Sequence, residues 1–186
     1  MPIPRNWAEE LASEWLQLLG YLTEVGVPVG VGTRGGRKEA DVIGMKISEA
    51  NGKRELAIYH VETGSLGGSH DANVDTLLKK FSPSRISEIE SRASKRMGSY
   101  DSLKYEKVYV DIWGNPTKVN KLMTNTSIHK EGIKVWTVKM LFDEIFNTIS
   151  NWLPEHKSKL KEATIPEAFW MLKLIEALRE AKLLKA

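Results

Sequence analysis

Asp41 and Glu62 stand at the outer ends of two apolar segments that a turn dipeptide joins. Asp41 begins the first segment, Glu62 ends the second, and Asn51-Gly52 lies between them. Asn-Gly is a strong signal for a two-residue β-hairpin turn, because a type I′ turn needs positive φ at both central residues. Counting outward from this turn places Asp41 directly opposite Glu62, so we expect the two carboxylates to share one face of the hairpin.

The predicted pairing brings two negative charges together at the edge of an apolar face. Opposite residues in an antiparallel pair have Cβ atoms about 4.5 to 5.5 Å apart, and two carboxylates at that distance repel each other unless a cation or a proton intervenes. Carboxylate oxygens are hard ligands that suit Mg²⁺ or Mn²⁺. The pattern therefore predicts a divalent cation held by Asp41 and Glu62. The alternative is that both acids end strands in solvent and pair with nearby arginines.

The rest of the chain predicts the elements that must position this hairpin. Asn6, with Glu9 three residues later, is typical of the start of a helix. Apolar residues then recur at helical spacing until Gly20. The order of predicted strands and helices is typical of an α/β or α+β domain, in which helices cover a sheet. The predicted strands are 21–29, 41–48, 55–62, 107–113 and 132–138, and the predicted helices after the first are 75–81, 84–97, 116–124, 139–152 and a C-terminal helix with Thr164 as N-cap and Pro166 in its first turn.

Composition narrows the classes of protein. The 186 residues contain no cysteine, which excludes disulfides, thiolate zinc sites and a cysteine nucleophile. No apolar run approaches the roughly 20 residues that span a bilayer, and the N-terminus lacks a secretory pattern, so we expect a cytoplasmic protein without membrane contact. The net charge is +3, and the basic excess lies between Lys79 and Lys107. The six tryptophans fall mostly at expected core positions.

The order of motifs resembles the PD-(D/E)xK nuclease superfamily, in particular its archaeal junction-resolvase-like and Mrr-like members. The matching features are a first helix with a glutamate that ends in Gly20-Tyr21, a strand, a glycine-rich loop, Asp41 in EADVIG, and a hairpin strand that ends at Glu62 in IYHVE. The resemblance covers roughly residues 6–138. It implies a restriction-endonuclease-like central mixed sheet flanked by helices, over 1–153, with a C-terminal helical extension over 154–186.

The resemblance also implies an activity and a ligand set. The expected protein is a nuclease that acts on DNA phosphodiester bonds, with Mg²⁺ or Mn²⁺ held by Asp41, Glu62 and the carbonyl of Thr63. Glu9 matches the first-helix glutamate that assists metal or water positioning in part of the family, with Glu14 as the alternative. The expected partner is branched or double-stranded DNA, and a homodimer would supply one site for each strand.

One position departs from the family pattern. The lysine that orients water and stabilises negative charge should stand two residues after Glu62, where this chain has Gly64. Either a cation from elsewhere takes its place, or a histidine does, or the protein is an inactive DNA-binding or assembly module with the same fold. The candidate replacements are Lys38 and Arg37 before Asp41, Lys79 and Lys80 on the next helix, and His60 on the same strand as Glu62.

A cationic helix face is the predicted contact with nucleic acid. On the helix over 84–97, three arginines share a face opposite an apolar stripe, which suits phosphates and gives affinity without sequence specificity. The alternative is an ordinary solvated helix face. The residues expected to contact phosphates are Arg85, Arg92, Lys95, Arg96, Lys79 and Lys80.

Overall fold

The computed structural model describes residues 6–31, 37–157, 165–166 and 168–182. Within these ranges the chain alternates helices and strands, with a single sheet at its centre. The helices are α1 (Trp7–Leu18), α2 (His70–Lys80), α3 (Pro83–Met97), α4 (Pro116–Met123), α5 (Thr126–Lys130), α6 (Val138–Lys157) and α7 (Trp170–Glu180), and the strands are β1 (Leu22–Val31), β2 (Arg37–Ala50), β3 (Lys53–Gly64), β4 (Ser102–Asp111) and β5 (Ile133–Thr137).

The sheet has five strands in the order β1-β2-β3-β4-β5. The pairs β1-β2 and β2-β3 are antiparallel, whereas the pairs β3-β4 and β4-β5 are parallel. The prediction of an α/β protein with a mixed sheet flanked by helices is therefore confirmed. Among the described residues, no helix combines the length and the apolar composition that crossing a bilayer requires.

The hairpin of β2 and β3 has the register that the sequence predicts. Asn51 and Gly52 have φ values of 54° and 72°, as a type I′ turn requires. Pairing continues from Ala50 opposite Lys53 to Val42 opposite Val61. Asp41 and Glu62 follow this last pair at the open end of the hairpin, so the counting argument holds along its whole length.

Helices cover both faces of the sheet. On one face, α1, α6 and α7 pack over valines of β1 to β4. On the other face, α3 covers β2 and β3 through Ile89 and Ala93, while α2, α4 and α5 cover β4 and β5. Burial of these apolar side chains is the main stabilising contribution, and it fixes α2 and α3 above the end of the sheet where the two acids lie.

Three predicted boundaries are wrong. Helix α2 begins at His70 rather than 75, because Ser69 caps it by accepting from Ala72 N. Strand β4 spans Ser102–Asp111 rather than 107–113, because its polar first half, Ser102–Glu106, pairs with Glu55–Tyr59 of β3. Helix α6 continues to Lys157 past Pro154, since a proline costs one main-chain hydrogen bond without having to end a helix. The division at 153/154, which falls inside α6, stays a prediction.

The start of α7 depends on a residue of α1. The predicted N-cap Thr164 lies outside the described residues, and Pro166 precedes the helix, which begins only at Trp170. The carboxylate of Glu14 accepts from Met171 N at 3.2 Å and from Leu172 N at 2.9 Å. Burial raises the pKa of Glu14, while these two main-chain donors act in the opposite direction. Glu14 therefore has a structural role as the cap of α7.

We expect Glu14→Ala to destabilise the protein by about 1–3 kcal/mol, because it leaves two main-chain donors without an acceptor. For a chain of this length the melting temperature should fall by about 2–4 °C for each kcal/mol. Thermal unfolding followed by circular dichroism measures the change. Glu14→Gln, which keeps one acceptor oxygen, should cost less, and Glu10→Ala on the same helix should have no effect. Equal melting temperatures for Glu14→Ala and Glu10→Ala would contradict the capping role.

Candidate active site

The two acids lie together at the edge of the sheet. Thr63 N donates to Asp41 Oδ2 at 2.7 Å, which joins β2 to β3 beyond the last regular pair. The Glu62 side chain is 0% exposed, whereas that of Asp41 is 21% exposed. The site therefore has one wholly buried carboxylate and one that solvent can reach.

Three donors converge on Glu62. Lys80 at the end of α2 donates to Oε2, and Arg85 of α3 donates Nη2–H to Oε1 at 3.0 Å. His60, two residues earlier on β3, contacts Oε1 at 2.9 Å. The ammonium of Lys80 also lies 3.9 Å from Asp41 Oδ2, so it is shared between the two acids. Helices α2 and α3 thus supply the positive charge that the two facing carboxylates require.

His60 is a buried and fully bonded histidine. Its side chain is 0% exposed, and because a carboxylate can only accept, Nε2–H donates to Glu62. Nδ1 then accepts from the hydroxyl of Tyr105 at 3.1 Å. Burial lowers the pKa of His60 despite the hydrogen bond to Glu62, so the ring is neutral at neutral pH. His60 therefore lies in the interior between Tyr105 and Glu62, where it orients the Glu62 carboxylate and has no contact with solvent.

The two acids differ in protonation behaviour. Burial alone would raise the pKa of Glu62, but the hydrogen bond from His60 and the charges of Lys80 and Arg85 outweigh it and hold that pKa below its ordinary value. Burial, followed by the charge of Glu62, raises the pKa of Asp41. Glu62 is therefore the stronger acid of the pair and Asp41 the weaker one.

Gly64 stands where a side chain has no room. A Cβ atom at this position would lie 2.9 Å from the hydroxyl oxygen of Tyr109 on β4, closer than real Cβ contacts occur. Tyr109 is almost fully buried, and the ammonium of Lys80 lies 5.8 Å from the centre of its ring. The phenol of Tyr109 thus fills the space that a side chain at position 64 would need. Lys80 of α2 reaches the acids across the face of the same ring.

The first helix contributes through its cap. Asn6 caps α1 and donates Nδ2–H both to Glu9 Oε1 at 2.7 Å and to Thr63 Oγ1 at 3.2 Å. The hydroxyl of Thr63 in turn lies 3.3 Å from Asp41 Oδ2. Glu9 is nearly buried and is linked through this chain to the acids, whereas Glu14 is committed to α7. Of the two glutamates considered from the sequence, Glu9 is the one near the site.

A cationic cleft adjoins the acids on the side of β1 and β2. It has a volume of about 500 Å³ and includes Lys80 and Arg85 in its wall. Lys38 and Lys79, both exposed, also line it, and neither has a polar partner among the described residues. The side chain of Arg37 lies outside the described part of the chain. The remaining lining residues are Val29, Gly30, Thr76, Ser82, Ser84 and Glu88.

The basic residues that were expected to form one phosphate-binding face on α3 have different partners. Arg85 points inward to Glu62 and to the main-chain oxygen of Glu39. Arg92 and Arg96 both pair with Glu24 of β1, through Nε at 2.7 and 3.2 Å. Lys95 lines a second cavity beside Arg92. The i, i+7, i+11 spacing correctly placed the arginines along the helix, but it carried no information about these carboxylate partners.

Sequence reasoning missed two features of the site. Arg85 was expected to contact phosphates, and no short-range pattern could reveal that it reaches a carboxylate on β3. Trp113 was expected in a buried strand, yet β4 ends at Asp111 and the indole is 80% exposed. The signal for the second feature was Gly114-Asn115-Pro116, a turn sequence that directly follows the tryptophan.

Within the described residues, no group of three or more His, Cys, Asp or Glu side chains is arranged to hold a metal ion. Asp41 and Glu62 therefore form a two-carboxylate set. Comparison with known proteins gives no match: no family model, no curated protein and no solved structure matches the chain. Conclusions about function consequently depend on the geometry of this site.

Proposed function

We propose that this protein is a metal-dependent nuclease with a restriction-endonuclease-like fold, which hydrolyses DNA phosphodiester bonds at Asp41 and Glu62. The observation that carries the proposal is the position of Lys80 Nζ, which bonds Glu62 and lies 3.9 Å from Asp41 at the edge of a mixed sheet. Two acids on adjacent strands with one shared lysine are the groups that the PD-(D/E)xK resemblance requires. Here α2 supplies the lysine instead of β3.

The donor set fits a hard divalent cation. Asp41 is partly exposed, and no hydrogen bond from the described residues reaches its Oδ1. Lys80 occupies Glu62 Oε2, but its side chain is 26% exposed, so the ammonium can move to a phosphate without disturbing α2. Mg²⁺ commonly binds one or two carboxylates and completes its shell with waters and substrate phosphates. Asp41 and Glu62, with the carbonyl of Thr63, would hold Mg²⁺ or Mn²⁺ in this way.

A bound cation would polarise the scissile phosphate. It would also lower the pKa of a bound water, so that hydroxide could form at neutral pH. The chain's own residues have separate tasks. Lys80 donates to a phosphate oxygen and stabilises the negative charge that develops there. His60, held by Tyr105, keeps the Glu62 carboxylate in one orientation. Thr63 N does the same for Asp41.

A DNA-binding module without catalysis is the second candidate. The observation in its favour is that both oxygens of Glu62 already have donors, from His60, Arg85 and Lys80. A carboxylate satisfied in this way can be a purely structural element. The two candidates differ in whether a divalent cation displaces Lys80 from the acids.

Cleavage assays separate the two candidates. We expect purified protein to cut at least one of the labelled substrates, linear, supercoiled or branched DNA, with Mg²⁺ or Mn²⁺ and to leave all of them intact with EDTA. Asp41→Asn should yield no product above the EDTA level, and because Asp41 is partly exposed this variant should still fold. Metal-dependent cleavage that survives Asp41→Asn would refute the site. Tight, salt-dependent DNA binding by a wild-type protein that never cuts would establish the binding module instead.

A further inference from the structure

Trp113 is exposed beside the acids. Its side chain is 80% accessible, the largest exposure among the large apolar residues that the structure describes. It lies two residues after the end of β4, at the sheet edge where β3 ends in Glu62, Thr63 and Gly64. An indole left in water gains nothing for folding, whereas a rigid exposed tryptophan is a frequent anchor for binding.

The loop that carries Trp113 is fixed to the end of β3. Ile112 N donates to Gly64 O at 2.8 Å, directly before the tryptophan. Asp111 is buried and accepts from Leu66 N at 3.5 Å. After the tryptophan, Gly114 packs so closely on Asp111 that a Cβ atom would lie 2.5 Å from its carboxylate. These contacts hold the main chain on both sides of Trp113 at the sheet end where the acids lie, so the exposed indole extends from a fixed point of the chain.

The cationic cleft adjoins the same acids through Lys80 and Arg85, which line it and contact Glu62. Lys38 is on β2, Lys79 is on α2, and neither ammonium has a polar partner among the described residues. Strands β2 and β4 flank β3, so Lys38 and the chain that leads to Trp113 lie on either side of β3, two interstrand spacings apart, about 10 Å. A nucleic-acid strand that crosses the acids from β2 to β4 therefore meets Lys38 before the acids and the exposed indole after them, with Lys79 in the wall of the same cleft.

We infer that Trp113 stacks on an unpaired base of a DNA strand whose phosphate lies between Lys38 and Lys79. The substrate class is therefore single-stranded DNA, or DNA with an unpaired nucleotide at the acids. The inference rests on the proposed function for the identity of the ligand. Proteins that bind single strands combine a cationic groove with aromatic side chains on which bases stack. In a continuous duplex the faces of the bases are covered by their neighbours, so an indole at this position would have no partner.

Binding measured in EDTA tests the inference without any cleavage. The probes are a short fluorescein-labelled single strand and a blunt duplex of the same sequence, followed by anisotropy at fixed salt. We expect Trp113→Ala to weaken single-strand binding by about 10-fold or more and to leave duplex binding unchanged. Trp113→Phe should keep most of the affinity. Lys38→Ala combined with Lys79→Ala should weaken the binding of the single strand and make it less sensitive to salt.

Trp170 provides the matched control, because it is also exposed but lies on α7, which packs on the other face of the sheet. Trp170→Ala should bind the single strand like the wild type. The inference is overturned if wild type does not bind the single strand, if Trp113→Ala binds it as tightly as wild type, or if Trp170→Ala or the duplex shows the same loss. Trp113-dependent binding without metal-dependent cleavage would support the inference and refute the nuclease chemistry, whereas Asp41-dependent cleavage with normal binding by Trp113→Ala would do the reverse.

Discussion

Lys80→Met is expected to lower the single-turnover rate of DNA cleavage by about 100- to 1000-fold, the usual cost of removing one donor to the developing charge. The ammonium of Lys80 is the donor shared by Asp41 and Glu62. Methionine preserves the length and packing of the side chain but removes the charge. The melting temperature should fall as well, because Glu62 Oε2 loses its donor while His60 and Arg85 donate only to Oε1. The rates are therefore compared at a temperature at which both proteins are folded. Quantification of labelled product with Mn²⁺ measures the rate.

Lys139→Met serves as the control, since this lysine pairs with Asp143 on α6 and does not contact the acids. It should cut DNA at the wild-type rate. A Lys80→Met enzyme that cuts as fast as Lys139→Met would mean that Lys80 is only a counter-ion. Restoring a lysine at the family position should not help: Gly64→Lys in the Lys80→Met background meets the Tyr109 hydroxyl at 2.9 Å.

The hairpin could be predicted from sequence because its determinants are local. The Asn51-Gly52 turn and the alternation of apolar residues fix the register, and the register alone places Asp41 and Glu62 at one end. The mixed sheet followed from the order of elements in the same way. These are properties of short segments, in which turn chemistry and side-chain alternation act over a few residues.

The remaining features of the site depend on contacts between distant segments. Lys80 and Arg85 lie 18 and 23 residues after Glu62, and only the packing of α2 and α3 on the sheet brings their charges to it. The Tyr109 phenol that excludes a side chain at Gly64 comes from a strand that the sequence could not place against β3. The glycine at the position where the resemblance expects a lysine therefore left three alternatives open, and the sequence could not choose among them. The structure brings Lys80, one of the candidate replacements, to the two acids.

Removal of the buried carboxylate should have the largest effect on stability. Glu62→Ala removes the carboxylate acceptor of the neutral His60 ring, which is 0% exposed, and of the Arg85 guanidinium, which is 12% exposed and keeps only the main-chain oxygen of Glu39. Breaking a buried ion pair by removing one partner costs about 3–5 kcal/mol. Arg85 Nε already lacks a partner among the described residues, so the guanidinium has little to compensate the loss. Chemical denaturation at neutral pH measures the change in the free energy of unfolding.

The double variant Glu62→Leu, Arg85→Leu tests the cause of that loss. If the cost comes from an uncompensated buried charge, replacing both partners with apolar residues should destabilise the protein less than Glu62→Ala does. Acid titration gives an independent check. Because the pKa of Glu62 is held below its ordinary 4.5, its charged form contributes stability above pH 4.5 that is lost as the pH falls through the folded pKa. The stability difference between wild type and Glu62→Gln should therefore shrink on acidification, and a difference that grows would show that Glu62 is stabilised as the neutral acid.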